Sequence, residues 1–126
     1  MGRAVFCCIT QLDKIHADYK YLITRGDFPS IKNVPYLKVF SPSDGLHKKL
    51  CNLSGNPELL RSTLESEFTK EKQNDPVYQY MKRQIIKRMQ QGKTFCFACC
   101  CPKADYCHRS LVAKDFTESG IEVELL

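Results

Sequence analysis

The chain has 126 residues, 43% of them hydrophobic and 26% charged, which is the size and composition of one globular domain. No apolar run approaches the ~20 residues of a membrane-spanning helix, and the first residues lack the apolar region and cleavage site of a signal peptide. We therefore expect residues 1–126 to form a single domain, without membrane contact, in the cytoplasm. The formal net charge of +5 permits contact with an anionic ligand or nucleic acid and requires neither.

Two short apolar runs near the N-terminus predict buried strands, at residues 4–10 and 19–24. The segment 34–40 has a proline near its start and a Ser-Pro-Ser-Asp-Gly stretch behind it. These residues favour turns, so we predict a loop there with one short edge strand.

Two helices are predicted next, each from a capping residue followed by proline. Asn56 precedes Pro57 at the start of a helix over 57–70, and Asp75 precedes Pro76 at the start of a helix over 76–91. Gly92 is suited to the end of the second helix. Apolar residues recur on one face of each helix, at Leu60, Leu64 and Phe68 in the first and at Tyr78, Met81, Ile85 and Met89 in the second.

The last third of the chain predicts a buried strand over 94–100, a turn, a helix and a half-buried strand over 121–125. Asp105 is the expected N-cap of the helix, which runs to about Glu118 before Gly120. Strands that alternate with helices, without hairpin signals, indicate an α/β fold. We predict a single small layered domain with a mainly parallel sheet flanked by helices.

The segment from Cys99 to Arg109 spans the end of a predicted strand, a turn and the first turn of a helix, which is where open parallel sheets bind ligands. The free N–H groups at the start of the helix and the Arg109 guanidinium attract anions. The same positive field favours a thiolate at Cys107. Cys107 is therefore a candidate nucleophile and His108 a candidate general acid or base.

Eight cysteines invite two other interpretations. Five of them lie between Cys96 and Cys107, three in direct succession, which disfavours disulfides and predicts reduced thiols. They can pack as small hydrophobes; alternation along the strand would then turn Cys100 into the packed interior, away from Cys99 and Cys101. Alternatively Cys99, Cys101, Cys107 and His108 offer four zinc ligands.

The arrangement of a cysteine, seven intervening residues and Cys107-His108-Arg109 resembles the C-terminal signature of the domain-of-unknown-function 488 family. The likeness extends to the segment from Ile23 to Pro29 and to the closing Gly-Ile-Glu-Val. The resemblance implies a small α/β domain with a site at the strand ends and an unsettled activity. The family commonly has glutamate where this chain has Cys101, which implies a reaction that is lost, changed or redirected toward a metal.

Together these features predict a domain that binds a small anionic ligand, nucleotide-like or phosphate-bearing. Its cleft would be lined by Thr10, Arg25, Cys99, Cys101, Cys107, His108 and Arg109. Enzymatic turnover stays open at this point; if it occurs, Cys107 and His108 are the catalytic residues. The alternatives are a zinc-stabilised interaction module and a basic nucleic-acid-binding or inhibitor-like protein that uses the basic residues between Lys82 and Lys93. The sequence identifies no cofactor and no oligomeric state.

Overall fold

The computed structural model describes residues 2–24, 33–100 and 107–126. Within them, four strands form one sheet in the order β2-β3-β1-β4, and every neighbouring pair is parallel. The strands are β1 (Arg3–Cys8), β2 (Tyr19–Leu22), β3 (Phe95–Cys99) and β4 (Glu122–Leu125). The predicted α/β fold with a mainly parallel sheet is confirmed.

Five α-helices accompany this sheet in the described part of the chain: α1 (Asp44–Cys51), α2 (Pro57–Thr63), α3 (Thr69–Gln73), α4 (Pro76–Gln90) and α5 (His108–Glu118). A π-helical segment, Leu64–Phe68, joins α2 to α3, so the helix predicted over 57–70 continues to residue 73 with a widened turn in its middle. None of the described helices is long and apolar enough to cross a membrane.

The predicted helix caps are present. The Asn56 side chain accepts a hydrogen bond from the Leu59 backbone N–H, and the Asp75 carboxylate accepts from the N–H groups of Val77 and Tyr78. Gly92 has a φ of 97°, the left-handed conformation that glycine adopts without strain after a helix. Both helices therefore begin where the sequence predicts them.

Two helix predictions were wrong. The stretch after residue 40 was predicted to be a loop, yet α1 begins at Asp44 because the Ser43 hydroxyl accepts from the Leu46 N–H and caps a short amphipathic helix. α5 begins at His108 with Cys107 as its N-cap, two residues after the predicted N-cap Asp105, which lies outside the described residues. The predicted short edge strand is reduced to one parallel bridge, between Leu22 and Tyr36.

The sheet separates two hydrophobic cores of unequal size. The larger core contains stacked aromatic rings of β1 and β3, Phe6 and Phe97, with Phe116 of α5 packed against both. The smaller core lies on the opposite face, where Leu12 packs with Cys7, Cys96, Leu22 and Ala98. Each of these residues is at most 4% exposed, so both central strands are buried on both faces, as parallel strands usually are.

The connections after the two central strands leave on opposite faces of the sheet. β1 continues into a 3₁₀ helix, Ile9–Lys14, which covers the smaller core, whereas α5, the helix that follows β3, covers the larger one. Adjacent parallel strands whose connections diverge in this way leave a crevice at their carboxyl ends. Cys99 at the end of β3 and Cys107 at the start of α5 therefore lie at the edge of the sheet where such a crevice forms.

Candidate functional site

Three predicted site residues meet at the carboxyl end of β3. Cys99 ends the strand, Cys107 caps α5, and His108 is the first residue of that helix. The Cys107 thiol donates to Cys99 with 3.1 Å between the two Sγ atoms. Both cysteines are 1% exposed and His108 is 7% exposed, so the cluster is almost fully withdrawn from bulk water.

The orientation of His108 is set by a backbone group. Its Nε2 atom lies within hydrogen-bond distance of the Ile23 carbonyl oxygen, which can only accept, so Nε2 carries the proton in the neutral ring. The other nitrogen, Nδ1, then has a lone pair and lies 3.9 Å from the Cys107 Sγ. The Phe68 ring packs against the imidazole with 5.8 Å between ring centres. His108 is thus held with its basic nitrogen toward the thiol.

The same three side chains form a set of metal-binding atoms. One ligand atom from each of Cys99, Cys107 and His108 lies within 4.8 Å of the other two, and all three residues are buried. Two thiols and one imidazole are the donors that zinc prefers. The cluster therefore has two chemical capacities, a base-assisted thiol and a soft-metal site.

A cavity of about 310 Å³ lies in front of the cluster. Cys99, Cys107 and His108 form one wall, and α1 forms the wall that carries His47 and Cys51, whose Nε2 and Sγ atoms are 3.2 Å apart. The remaining lining is mostly apolar: Pro42, Leu50, Leu60 and Leu64, with Ser54 and Cys100. A cavity of this volume can hold a small organic molecule.

The sequence analysis did not identify His47 and Cys51 as site residues, because it predicted no helix over residues 44–51. The available signal was their spacing: residues four apart lie on one face of a helix, and Leu46 and Leu50 repeat one position earlier. Leu46 and Leu50 are buried, and their burial fixes which face of α1 turns toward the core.

The prediction that Cys100 is buried in the packed interior was wrong. Cys100 is exposed and lines the cavity, whereas Cys107 is buried. The reason is that β3 ends at Cys99, so the alternation of faces along the strand does not continue to the next residue.

Arg109 lies behind the cluster. It is 1% exposed, and its Nη2 atom donates to the Leu126 carbonyl oxygen at 3.3 Å, near the ends of β1 and β4. Among the described residues that line the cavity, no lysine or arginine is present. The guanidinium contributes to a lowered pKa at Cys8, where the hydrogen bond from the Thr10 hydroxyl is the largest cause.

Of the other predicted ligand contacts, the structure describes Thr10. Thr10 is exposed and follows β1, and it contacts the partly exposed Cys8. Arg25 and Cys101 lie outside the described residues. The structure therefore brings together Cys99, Cys107 and His108, with Thr10 and Arg109 at neighbouring strand ends rather than in the cavity wall.

The basic stretch around α4 is partly committed to the fold. Lys82 forms an ion pair with Asp115 of α5 at 3.1 Å. Arg88 lies over the Tyr19 ring, 5.7 Å from its centre, and donates to the Tyr19 hydroxyl. These contacts stabilise the packing of α4 against its neighbours, which leaves fewer cations available for a nucleic-acid surface.

The parallel sheet, the diverging connections and the thiol–imidazole cluster at the strand ends define a small α/β protein with a cysteine-histidine site. Residues 32–120 match the model of the DUF488-N3a family, described as the active DUF488-N3 subclade. The match covers more than two thirds of the chain and includes Cys99, Cys107, His108 and Arg109, so this protein belongs to the DUF488-N3a family. Neither the curated proteins nor the solved structures give a match.

Proposed function

We propose that this protein is an enzyme that transforms a small molecule held in the 310 Å³ cavity, with Cys107 as nucleophile and His108 as general acid and base. One observation carries the proposal: His108 donates through Nε2 to Ile23, so the basic Nδ1 atom faces the Cys107 thiol, and both residues line the cavity. A thiol with an oriented imidazole beside it is the usual arrangement of a cysteine nucleophile.

The proposed reaction is nucleophilic substitution at an electrophilic carbon. Nδ1 of His108 takes the Cys107 proton, the thiolate forms a bond to carbon, and the bond from carbon to the leaving group breaks. The leaving group departs with the bonding pair and takes the proton from the imidazolium. Water, deprotonated by the same imidazole, then displaces the thiolate and regenerates the enzyme.

The position of Cys107 supports this role. As the N-cap of α5 it lies at the positive end of the helix dipole, whose field stabilises a thiolate. In the resting state the Cys107 thiol donates to Cys99; once Cys107 has lost its proton, the Cys99 thiol can donate to the thiolate. The word "active" in the description of the family model agrees with a functioning site.

The ligand class follows from the walls of the cavity. Its apolar lining favours a flat or apolar body, and the start of α5 favours an anionic group. A nucleotide-like or phosphate-bearing molecule has both parts. Cys99 lines the cavity and is kept as a ligand contact, and Arg25 and Cys101, outside the described residues, stay proposed contacts. Thr10 and Arg109, also predicted as contacts, lie outside the cavity wall.

A reducing compartment suits this chemistry. The seven cysteines that the structure describes form no disulfide with one another, which is compatible with the cytoplasmic location predicted from the sequence. The nucleic-acid alternative has weaker support, because Lys82 and Arg88 are already engaged within the fold.

The test is the alkylation of Cys107 by iodoacetamide at pH 7 and 25 °C, followed peptide by peptide by mass spectrometry. We expect His108→Ala to slow alkylation of Cys107 by about tenfold or more, since a positioned base contributes on this scale. His16→Ala is the matched control, because His16 is exposed and absent from the cavity lining, and it leaves the rate unchanged. Equal rates at Cys107 in all three proteins would contradict the proposal.

A further inference from the structure

We infer that Cys99, Cys107 and His108 also bind one Zn²⁺ ion, and that the ion caps the proposed nucleophile. The binding of zinc rests on the ligand geometry alone; only its inhibitory consequence rests on the proposed function. The site would therefore have two exclusive states, a free thiol and a metal-bound thiolate.

The spacing of the donor atoms suits a tetrahedral ion. Zn–S bonds of about 2.3 Å and Zn–N bonds of about 2.0 Å place neighbouring ligand atoms about 3.5–3.8 Å apart. Here the two Sγ atoms are 3.1 Å apart, and Nδ1 of His108 is 3.9 Å from the Cys107 Sγ. The Cys99 Sγ atom is 4.0 Å from the other ring nitrogen, Nε2, and one ligand atom from each of the three residues lies within 4.8 Å of the other two. Rotation of these side chains would bring the donors to the spacing of a zinc site.

The hydrogen bond from His108 to Ile23 supplies a second, independent indication. Histidines that bind metals almost always donate their other ring N–H to a carbonyl or carboxylate, which fixes the tautomer and the direction of the ligand lone pair. The Ile23 carbonyl does this for Nε2 and leaves Nδ1 as the ligand atom. His47 has a thiol partner instead, Cys51, and among the described residues that pair is not joined by a third ligand in a comparable cluster.

Among the described residues the cluster has three protein ligands, and all three line the cavity, which has room for a fourth ligand. Three protein ligands and an open position are typical of zinc sites that exchange a water or a small ligand, whereas structural sites are closed by four protein ligands. Two thiolates and one imidazole select zinc over magnesium and calcium, which prefer oxygen.

Binding of the ion consumes the nucleophile. Zn²⁺ displaces the protons of Cys99 and Cys107 into solvent, forms two Zn–S bonds and one Zn–N bond, and involves no change of oxidation state. The Cys107 electron pair that would attack carbon is then donated to the metal. Zinc is therefore expected to protect Cys107 from alkylation and to suppress any turnover that depends on it.

The experiment is titration of the reduced, full-length protein with Co²⁺, whose tetrahedral thiolate complexes absorb visibly, followed by displacement with Zn²⁺. We expect one Co²⁺ per chain with thiolate charge-transfer and tetrahedral d–d bands. Cys107→Ser, Cys99→Ser and His108→Ala are each expected to weaken binding by at least 100-fold. Cys96→Ser is the matched control, because Cys96 is also a buried thiol in contact with a second cysteine, and it retains full affinity.

Several outcomes would overturn the inference: no cobalt bands, octahedral bands without thiolate charge transfer, or equal weakening by Cys96→Ser. Circular dichroism of each apo variant identifies one that fails to fold, and the other two site variants then carry the test.

Alkylation of Cys107 at pH 7 separates the zinc site from the proposed nucleophile. Protection of Cys107, but not of exposed Cys51, by one equivalent of Zn²⁺ supports the capped state. Cobalt binding with no dependence of Cys107 reactivity on His108 would uphold the metal site and contradict the proposed nucleophile.

Discussion

Two pairs of cysteines lie on opposite faces of the sheet, and their surroundings differ. Cys7 and Cys96 face the smaller core with 3.6 Å between their Sγ atoms, and Cys99 and Cys107 face the larger core with 3.1 Å between theirs. All four side chains are at most 1% exposed. Contact between two buried thiols is therefore common to both pairs and cannot by itself define a site.

The difference lies in what else each pair meets. Cys7 and Cys96 are enclosed by Leu12, Leu22 and Ala98, and the hydrogen bond to Cys7 together with burial raises the pKa of Cys96. The Cys99 and Cys107 pair has an oriented imidazole and a cavity beside it. An enclosed thiol packs as a hydrophobe, whereas a thiol with a base and an open wall has access to a substrate or an ion.

The largest expected contrast comes from enlarging one member of each pair. Cys96→Leu adds volume to a closed core and is expected to lower the free energy of unfolding by about 1–3 kcal/mol. Cys99→Leu can extend into the cavity and is expected to cost under about 1 kcal/mol by the same reasoning. Urea denaturation measures both, and equal losses would show that the two pairs are packed alike.

Removing the imidazole is expected to have the next largest effect on stability. His108→Phe keeps a ring beside Phe68 but leaves the Ile23 carbonyl without its donor, so we expect a loss of about 1–2 kcal/mol in the free energy of unfolding. The exposed His16, changed to Phe, should change stability by at most about 0.5 kcal/mol. A His108→Phe protein as stable as the wild type would mean that the hydrogen bond does not hold the ring in place.

The smallest expected effect is a change in the pKa of Cys8, the last residue of β1. The Thr10 hydroxyl donates to its thiolate and, with the nearby Arg109, lowers the pKa of Cys8. Because the thiolate is the reactive form, alkylation of Cys8 should reach its plateau at lower pH than that of an unperturbed thiol. Thr10→Ala should move this midpoint to higher pH, and Thr10→Ser should restore it. An unchanged midpoint in Thr10→Ala would contradict the assigned cause.

Much of this fold is predictable because local signals agree with the tertiary structure. Asn56 and Asp75, each before a proline, mark true helix starts, and the apolar runs at both central strands are strands. α1 was missed because its Asp-Gly start is typical of turns, and only the burial of its apolar face by the rest of the protein makes it a helix.

The site is predictable to a smaller extent. The proximity of Cys99, Cys107 and His108 follows from the strand-turn-helix pattern, since both ends of that segment meet at one edge of the sheet. The direction of the imidazole could not be predicted, because it depends on the carbonyl of Ile23, 85 residues away in sequence. The exposure of Cys100 likewise depends on where β3 ends, a boundary that the apolar run does not mark.

The most direct test of the contrast between the two pairs is thiol protection in the folded wild-type protein. Iodoacetamide is added at pH 7 over a series of low urea concentrations, and the modification of each cysteine is followed by mass spectrometry. We expect Cys107 to react through the cavity at a rate independent of urea, while Cys7 and Cys96 react only as fast as the protein unfolds, at rates that rise with urea. If Cys107 shows the same protection and the same urea dependence as Cys96, the cluster is part of the packed core and the proposed active site is wrong.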